Sequence, residues 1–268
     1  MVSGVPDISD AEYGAFVALV YDRCGITLGT GKKMLVTTRL AKRLRETGCS
    51  TFTEYLNSLA ADRQGNELVH LLDAITTNTT SFFREPAAFD VVDAFVRQRL
   101  AAGERHFRFW SAASSTGMEA YTLAMLLAEN GATKHDCAIL ATDISTRALS
   151  ACREGIYPEA AIAPVPSELK KRYLQRNGAH WQVCSELRAL LTVNRLNLSR
   201  PPFPMRGPFD AIFCRNVMIY FDQAVRQRLI SACVDLLRPG GLLLIGAAES
   251  LHGIDHPLHV VQPAAYRK

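Results

Sequence analysis

The sequence predicts an α/β protein in which a mostly parallel sheet with crossover helices follows a small all-helical section. Three observations carry this. From residue 105 onward, short apolar runs rich in Phe, Ile, Val and Leu alternate with longer helical stretches, the pattern of strands joined by crossover helices. Residues 9 to 75 carry helix start signals and no clear strand. The run HFRFW, His106–Trp110, is followed by the small-residue loop Ser111–Gly117 and then a helical pattern, and ligands of open parallel sheets bind beyond such carboxyl ends. At 268 residues the chain has room for one large domain with an appendage or for two modest ones. With 48% hydrophobic and 21% charged residues it is ordinarily globular, neither disordered nor membrane-spanning. No apolar run approaches the roughly 18 to 20 residues that cross a bilayer. The start MVSGVPDISDAEYG lacks a basic segment followed by an apolar one, so a cytoplasmic protein without membrane insertion is expected.

The elements follow in order. Ser9 and Glu12 form a capping box ahead of a helix with Phe16, Leu19 and Val20 on its buried face. Thr51 and Glu54 open another, with Tyr55, Leu56 and Leu59 inward. Strands are expected near 107–111, 138–142, 190–194, 210–214 and 242–246. The helix after Asp222 is the clearest, with Asp222 as its cap, Val225, Leu229, Ile230, Val234 and Leu237 as its stripe, and Pro239-Gly240-Gly241 as its stop. Between 155 and 195, Pro158, Pro164 and Pro166 break the chain, and HWQVCSELRALLTV reads as a short hairpin or a continued helix within a small insertion. The seven cysteines are scattered with no C-x-x-C pair, so buried, reduced thiols are expected.

The loop after the first strand has a single glycine, Gly117, where a dinucleotide site wants G-x-G-x-x-G to seat a pyrophosphate. The next strand ends in Asp143, placed to accept from the hydroxyls of an adenosine ribose. S-adenosylmethionine (SAM) fits better than NAD, since it has no phosphates and its methionyl ammonium could meet the Glu119 carboxylate. Asp143 could instead merely cap the helix Ser145–Glu154.

Four stretches together carry a resemblance: Thr76–Glu85 (TTNTTSFFRE), Trp110–Gly117 (WSAASSTG), Ala141–Ile144 (ATDI) and Phe209–Phe221 (FDAIFCRNVMIYF). The chain resembles the CheR family of chemoreceptor glutamate methyltransferases, from about residue 8 to residue 267. The resemblance implies a helical receptor-docking domain over 1–75 and a linker over 76–92 that contributes to the cofactor site. A class I, Rossmann-like SAM-dependent methyltransferase domain over 93–268 would follow, with a small inserted β-subdomain at about 158–195. It also implies that Asn78, Thr80, Arg84, Glu119, Asp143, Asn197, Leu198, Arg215 and Asn216 contact SAM or its product, S-adenosylhomocysteine, and that Tyr220 stands beside the transferred methyl group. Met118 and Ala120 depart from the family's S-T-G-E-E-P-Y, while Glu119 and Tyr121 stay in register.

Methyl transfer from a sulfonium to a carboxylate is an in-line displacement that needs alignment and desolvation rather than a general base. A glutamate is ionised at neutral pH. The expected catalytic residues are accordingly Arg84, holding the cofactor's carboxylate or steering the acceptor, and Tyr220, orienting the acceptor through its hydroxyl. Outside the motifs, Arg84 would read as a surface arginine, Tyr220 as core packing and Asn216 as a turn residue.

Six basic residues and no acidic one lie between Lys32 and Arg45. Arg39, Lys42 and Arg43 share a helical face, expected to dock the acidic receptor bundle; nucleic acid is not the expected partner, since aromatic interleaving is missing. The segment Leu174–Val183 looks shorter than the glycine-rich loop with which family members hold a receptor's tethering pentapeptide, so no dependence on that pentapeptide is expected. His252, His256 and His259 are not read as metal ligands, because Gly253 and Pro257 interrupt any helical presentation. A non-catalytic SAM-binding adaptor and a methyltransferase for another protein, a small molecule or a nucleic acid are the alternatives.

Overall fold

The computed structural model describes residues 7–62, 65–75, 79–132 and 136–268. The chain divides into two compact units, one running to Thr77 and taking in Tyr220–Asp222, the other comprising the rest.

The first unit is helical. Helix α1, Asp10–Cys24, opens on the expected capping box, with the Ser9 hydroxyl accepting from the Glu12 amide at 3.2 Å and the Ser9 amide donating to Glu12 Oε2 at 2.9 Å. The Ser9 amide, then the Ser9 and Thr53 hydroxyls, hold the Glu12 carboxyl down at about 2. Tyr13, Phe16, Val20 and Cys24 are buried at spacings of three and four, whereas Leu19 falls off that line and is only half-buried, a correction to the expected face. Helix α2, Lys33–Thr47, buries Val36, Leu40, Ala41 and Leu44; α3, Phe52–Ala61, is capped by Thr51 and buries Tyr55 and Leu59 with Leu56 half-exposed; α4, Asn66–Ile75, closes the group. Phe16 lies 6.0 Å from both Phe52 and Tyr55, centroid to centroid. Tyr220–Asp222 joins this unit through Thr27, whose amide donates to the Tyr220 carbonyl at 2.8 Å, and through an antiparallel bridge between Ile26 and Phe221. Asp222, expected as a helix cap, accepts from the Tyr21 hydroxyl at 2.5 Å.

The second unit opens with α5, Ala87–Ala101, and builds a sheet from β1, Phe107–Ser111; α6, Met118–Glu129; β2, Cys137–Asp143; and α7, Thr146–Glu154. An insertion follows, comprising β3, Ile156–Pro158; α8, Glu159–Ile162; α9, Ser167–Tyr173; β4, Leu174–Asn177; β5, His180–Val183; and α10, Ser185–Arg188. The main sheet resumes with β6, Leu191–Arg195; β7, Phe209–Cys214; α11, Gln223–Leu236; β8, Leu237–Ile245; β9, His259–Gln262; and β10, Ala265–Arg267. Its order is β6-β2-β1-β7-β8-β10-β9, parallel from β6 to β8 and antiparallel through β10 and β9. Strand order reverses at β1, which opens the crevice where such sheets bind ligands. This is the expected α/β, Rossmann-like arrangement.

Three local expectations are corrected. The insertion is a three-stranded antiparallel sheet, β3-β5-β4, over 156–183, in which HWQV is one arm of a hairpin, and it ends before 191–195, which is the strand expected near 190–194 and forms the edge of the main sheet. Helix α11 stops at Leu236 and Leu237 begins β8, because Pro239 disfavours helical backbone at Arg238. Pro239-Gly240-Gly241 then bulges from the strand, Phe209 pairing with Leu237 but Ala211 with Leu242. Lys268 finishes the helix by donating its ammonium to the Val234 and Leu237 carbonyls at 2.6 and 2.8 Å. Six of the seven cysteines are buried and Cys49 is half-exposed, all as free thiols.

Candidate active site

Strands β1, β2 and β6 end on polar residues, Ser111, Asp143 and Arg195, and Arg215 follows β7 directly. After β1, Ala112 donates to the Phe213 carbonyl and Ser114 to the Thr142 carbonyl, both at 2.8 Å, so the small residues lie flat over neighbouring strand ends. Gly117 adopts φ +90°, and a Cβ there would stand 2.5 Å from the Cys152 sulfur. Within this loop the Ser114 and Thr116 hydroxyls are buried without a hydrogen-bond partner, an expensive arrangement unless a polar ligand completes it. The loop also lacks the glycines that would bring amides around a phosphate. Its donor set thus fits a phosphate-free nucleoside such as SAM.

Asp143 ends β2 and is fixed by two backbone donors, the Ser115 amide on Oδ2 and the Ser145 amide on Oδ1, each at 2.9 Å. The N-cap of the following helix is Ser145, its hydroxyl accepting from Ala148 at 3.2 Å. Beyond β6, Asn197 Oδ1 accepts from the amide and hydroxyl of Ser199 at 3.0 and 2.8 Å, and Leu198 is buried.

Beyond β7 the structure gathers four of the expected residues. Arg215, only 2% exposed at its side chain, donates to Glu119 Oε2 at 2.9 Å, to the Arg84 carbonyl at 2.6 Å and to Glu85 Oε2 at 3.0 Å. Its guanidinium carbon lies 5.4 Å from the Phe89 ring and 6.0 Å from Phe213. Glu119 also accepts from the Ser111 hydroxyl at 2.7 Å, and burial raises its carboxyl despite Arg215 and Ser111. Glu119 and Arg215, expected as cofactor contacts, are each other's partners, which makes them the frame of the site. Asn216 adopts φ +56° and donates Nδ2 to Glu85 Oε1 at 3.2 Å.

Glu85, quoted in the first motif but given no role, is the residue that sequence reading missed. Besides Arg215 and Asn216 it accepts from the Ala247 amide at 2.9 Å. Burial works to raise its carboxyl, but the Ala247 amide, Arg215 and Asn216 together hold it below the usual range. Phe83 and Glu85 sit at φ +53° and +55°, conformations that cost non-glycine residues about 1 to 2 kcal/mol each and persist only where surroundings over-determine them. That cost was a signal available only from the backbone. Arg84 itself is 38% exposed and donates to the Thr79 carbonyl at 3.1 Å; Thr80 is half-buried; Asn78 lies outside the described residues. Tyr220 belongs to the first unit, where the Lys32 ammonium lies 5.2 Å from its ring centroid.

The expected docking cations divide in two. Lys42 is exposed, with Glu46 at 3.6 Å. Arg43 is spent internally, bidentate to Glu67 at 3.0 and 2.6 Å, with the Tyr55 hydroxyl donating to the same carboxylate at 2.5 Å. Arg39 donates to the Ile75 carbonyl at 2.6 Å. Helical spacing put the three on one side, but α4 covers half of it.

Comparison with known proteins agrees with this geometry. Residues 11–76 match the CheR methyltransferase all-alpha domain, and residues 78–266 match the CheR methyltransferase SAM binding domain. The chain is 38% identical to the chemotaxis protein methyltransferase of Borreliella burgdorferi, over 98% of this chain and 95% of the relative. It is 38% identical to that of Escherichia coli, over 92% and 87%, and 39% identical to chemotaxis protein methyltransferase 2 of Pseudomonas aeruginosa, over 92% and 89%. With its all-helical section, its phosphate-free nucleoside loop and its Arg215 frame, this chain belongs to the CheR methyltransferase family and is a SAM-dependent chemotaxis methyltransferase.

Proposed function

We propose that the chain methylates glutamate side chains of the cytoplasmic helical bundle of chemoreceptors, and that it does so in the cytoplasm without a carboxy-terminal receptor tether. The observation that carries the chemistry is the frame of Arg215, Glu119, Glu85 and Asn216, a hydrogen-bonded scaffold rather than a proton-transfer pair. Transfer to an already ionised carboxylate calls for such a scaffold. SAM, when bound, supplies the methyl sulfonium. The Ser111–Gly117 loop and Asp143 would hold its nucleoside and Arg84 its carboxylate, with Asn78, Thr80, Asn197, Leu198 and Asn216 lining the same site. The Tyr220 hydroxyl orients the acceptor oxygen, and the Lys32 ammonium against its ring steadies the phenol.

Docking is assigned to the exposed side of α2, where Met34 and Leu35, 80% and 44% exposed, share a helical face with Lys42 two turns on. Apolar anchors beside a cation suit an amphipathic acidic helix. Arg39 borders this surface and Arg43 supports it from inside. Two further observations support independence from a tether and a cytoplasmic setting: β4 and β5 meet in a tight turn in which Asn177 pairs with His180, and no described helix is long and apolar enough to cross a membrane. Incubation with labelled SAM and receptor signalling domains should give base-labile methyl esters, equally with and without the receptor's terminal pentapeptide. SAM binding with no label on any receptor would sink the enzymatic reading, and tight calorimetric binding of the pentapeptide would sink tether independence.

A further inference from the structure

We infer that Glu249 is a positioning residue for methyl transfer, setting the turn from which Asn216 is presented; the inference rests on the methyltransferase reading of that turn. Glu249 lies 33 residues beyond Asn216 in the chain, on the segment after β8, and belongs to none of the motifs. Its carboxylate is the anchor of four backbone amides. Oε2 accepts from Asn216 at 2.9 Å and from Gly246 at 2.7 Å; Oε1 accepts from Met218 at 2.8 Å and Ile219 at 3.3 Å.

Three of these amides, those of Asn216, Met218 and Ile219, are what the turn after β7 leaves unpaired once the strand ends, and the fourth, Gly246, follows β8; an amide left without a partner away from water is costly. A charged acceptor is worth more to each than a neutral one. The arrangement also explains two features that the motif leaves unexplained. Asn216 holds φ +56°, a left-handed conformation that asparagine tolerates better than most residues, and Glu249 holds its amide there while Glu85 takes its side chain. Gly246 lies so near that a Cβ would stand 2.5 Å from Asn216 Nδ2 and 2.9 Å from Glu249 Oε2. The clamp and the turn therefore fit together only with a hydrogen at that position.

The clamped residues run to Ile219, the neighbour of Tyr220. Met218 and Ile219 are consequently hung from the same carboxylate as Asn216, with Arg226 adding a 2.8 Å bond to the Met218 carbonyl. Glu249 touches no reacting atom in this account; it fixes the backbone that carries groups which do.

The discriminating substitution is Glu249→Gln. An amide of the same shape offers one acceptor atom, so in either orientation two backbone N–H groups face an NH2 group. The expected result is a fall in kcat of about tenfold to a hundredfold, with an unchanged KM for the receptor and a smaller loss of S-adenosylhomocysteine affinity, about threefold to fivefold, since Asp143 and the β1 loop still hold the nucleoside. Glu249→Asp, which keeps both acceptor oxygens on a shorter stem, is expected between Gln and the natural protein. All three proteins are compared at a temperature where calorimetry and near-ultraviolet circular dichroism show them folded. A variant with lowered Tm but natural kcat and natural S-adenosylhomocysteine affinity would reduce Glu249 to a stabilising residue and overturn the inference, as would Asp no better than Gln. Should the natural protein itself yield no methyl ester, the function proposed above fails. The role of Glu249 is then read from calorimetry, where a weakened product affinity in Glu249→Gln supports it and an unchanged one overturns it.

Discussion

The two loops that make the site are built on opposite principles. The loop after β1, Ser111–Gly117, rests on backbone and small side chains, its amides bonded to Phe213, Thr142, Asp143 and its own Ser114. The turn after β7, Arg215–Ile219, rests on carboxylates that reach it from Glu85, Glu119 and Glu249, between 30 and 131 residues away in sequence. The first is sensitive chiefly to volume, its carboxylate contacts being Asp143 on the Ser115 amide and Glu119 on the Ser111 hydroxyl. The second is sensitive to charge and depends on partners that no local pattern announces.

The largest expected effect comes from removing the charge at the centre of the β7 turn. Arg215→Met keeps an apolar stem against Phe89 and Phe213 but strands Glu119 without its cation and leaves Glu85 with Arg84 alone, at 3.7 Å. Breaking a buried pair from one side costs about 3 to 5 kcal/mol, so denaturant unfolding should show a loss of that size, with S-adenosylhomocysteine binding lost in the same protein. A loss under about 1 kcal/mol, the scale of an exposed pair, would break the contrast between the loops. The volume test belongs to the other loop. Gly117→Ala places a methyl group 2.5 Å from the Cys152 sulfur at φ +90° and should cost about 1 to 3 kcal/mol. Adding Cys152→Ala should return part of it, because the two sites touch and their effects do not add. An unchanged cost in the double variant would locate the difficulty in backbone conformation alone.

The same contrast explains what was legible in the sequence. The five parallel strands, the capping box at Ser9, the loop at Gly117 and Asp143 are all fixed by neighbours in the chain or by hydrophobic periodicity, and reading recovers them within a few residues. The exception is the amino-terminal part of β8, where Pro239 and two glycines read as a helix stop but form a bulge. Leu19 and Arg43 were placed by helical spacing alone, and spacing does not say where the covering helix ends. The antiparallel β9 and β10 were missed because HVVQ and AYR are too short to show alternation. Glu85 and Glu249 escaped for a deeper reason. A carboxylate that serves distant amides leaves no periodicity, and only the fold shows which amides it serves.

The smallest effect sharpens the comparison through pH. Glu85 is about a quarter exposed, so water screens it, and Glu85→Gln should cost about 1 kcal/mol at neutral pH, just under the range of about 1.5 to 3 kcal/mol for bonds to a charged group. Its folded carboxyl lies below the usual range because the Ala247 amide, Arg215 and Asn216 outweigh burial. A depressed carboxyl contributes stability above its unfolded value, near 4.3 or so, and loses it as pH falls through the folded one. The gap between natural protein and variant should therefore be full at neutral pH and close in acid. Glu119 runs the other way: burial raises it, so the stability tied to its proton is present in acid and lost as pH rises. The charge on Glu85 is itself one cause of that rise, so the variant brings Glu119 nearer its ordinary range and removes part of this opposing slope. Urea unfolding from neutral pH down to about pH 3, below the ordinary carboxylate range, measures both. A gap that stays constant across that range would mean that Glu85 acts by shape, as the β1 loop does, and the division between a loop built on volume and a turn built on charge would not hold at this residue.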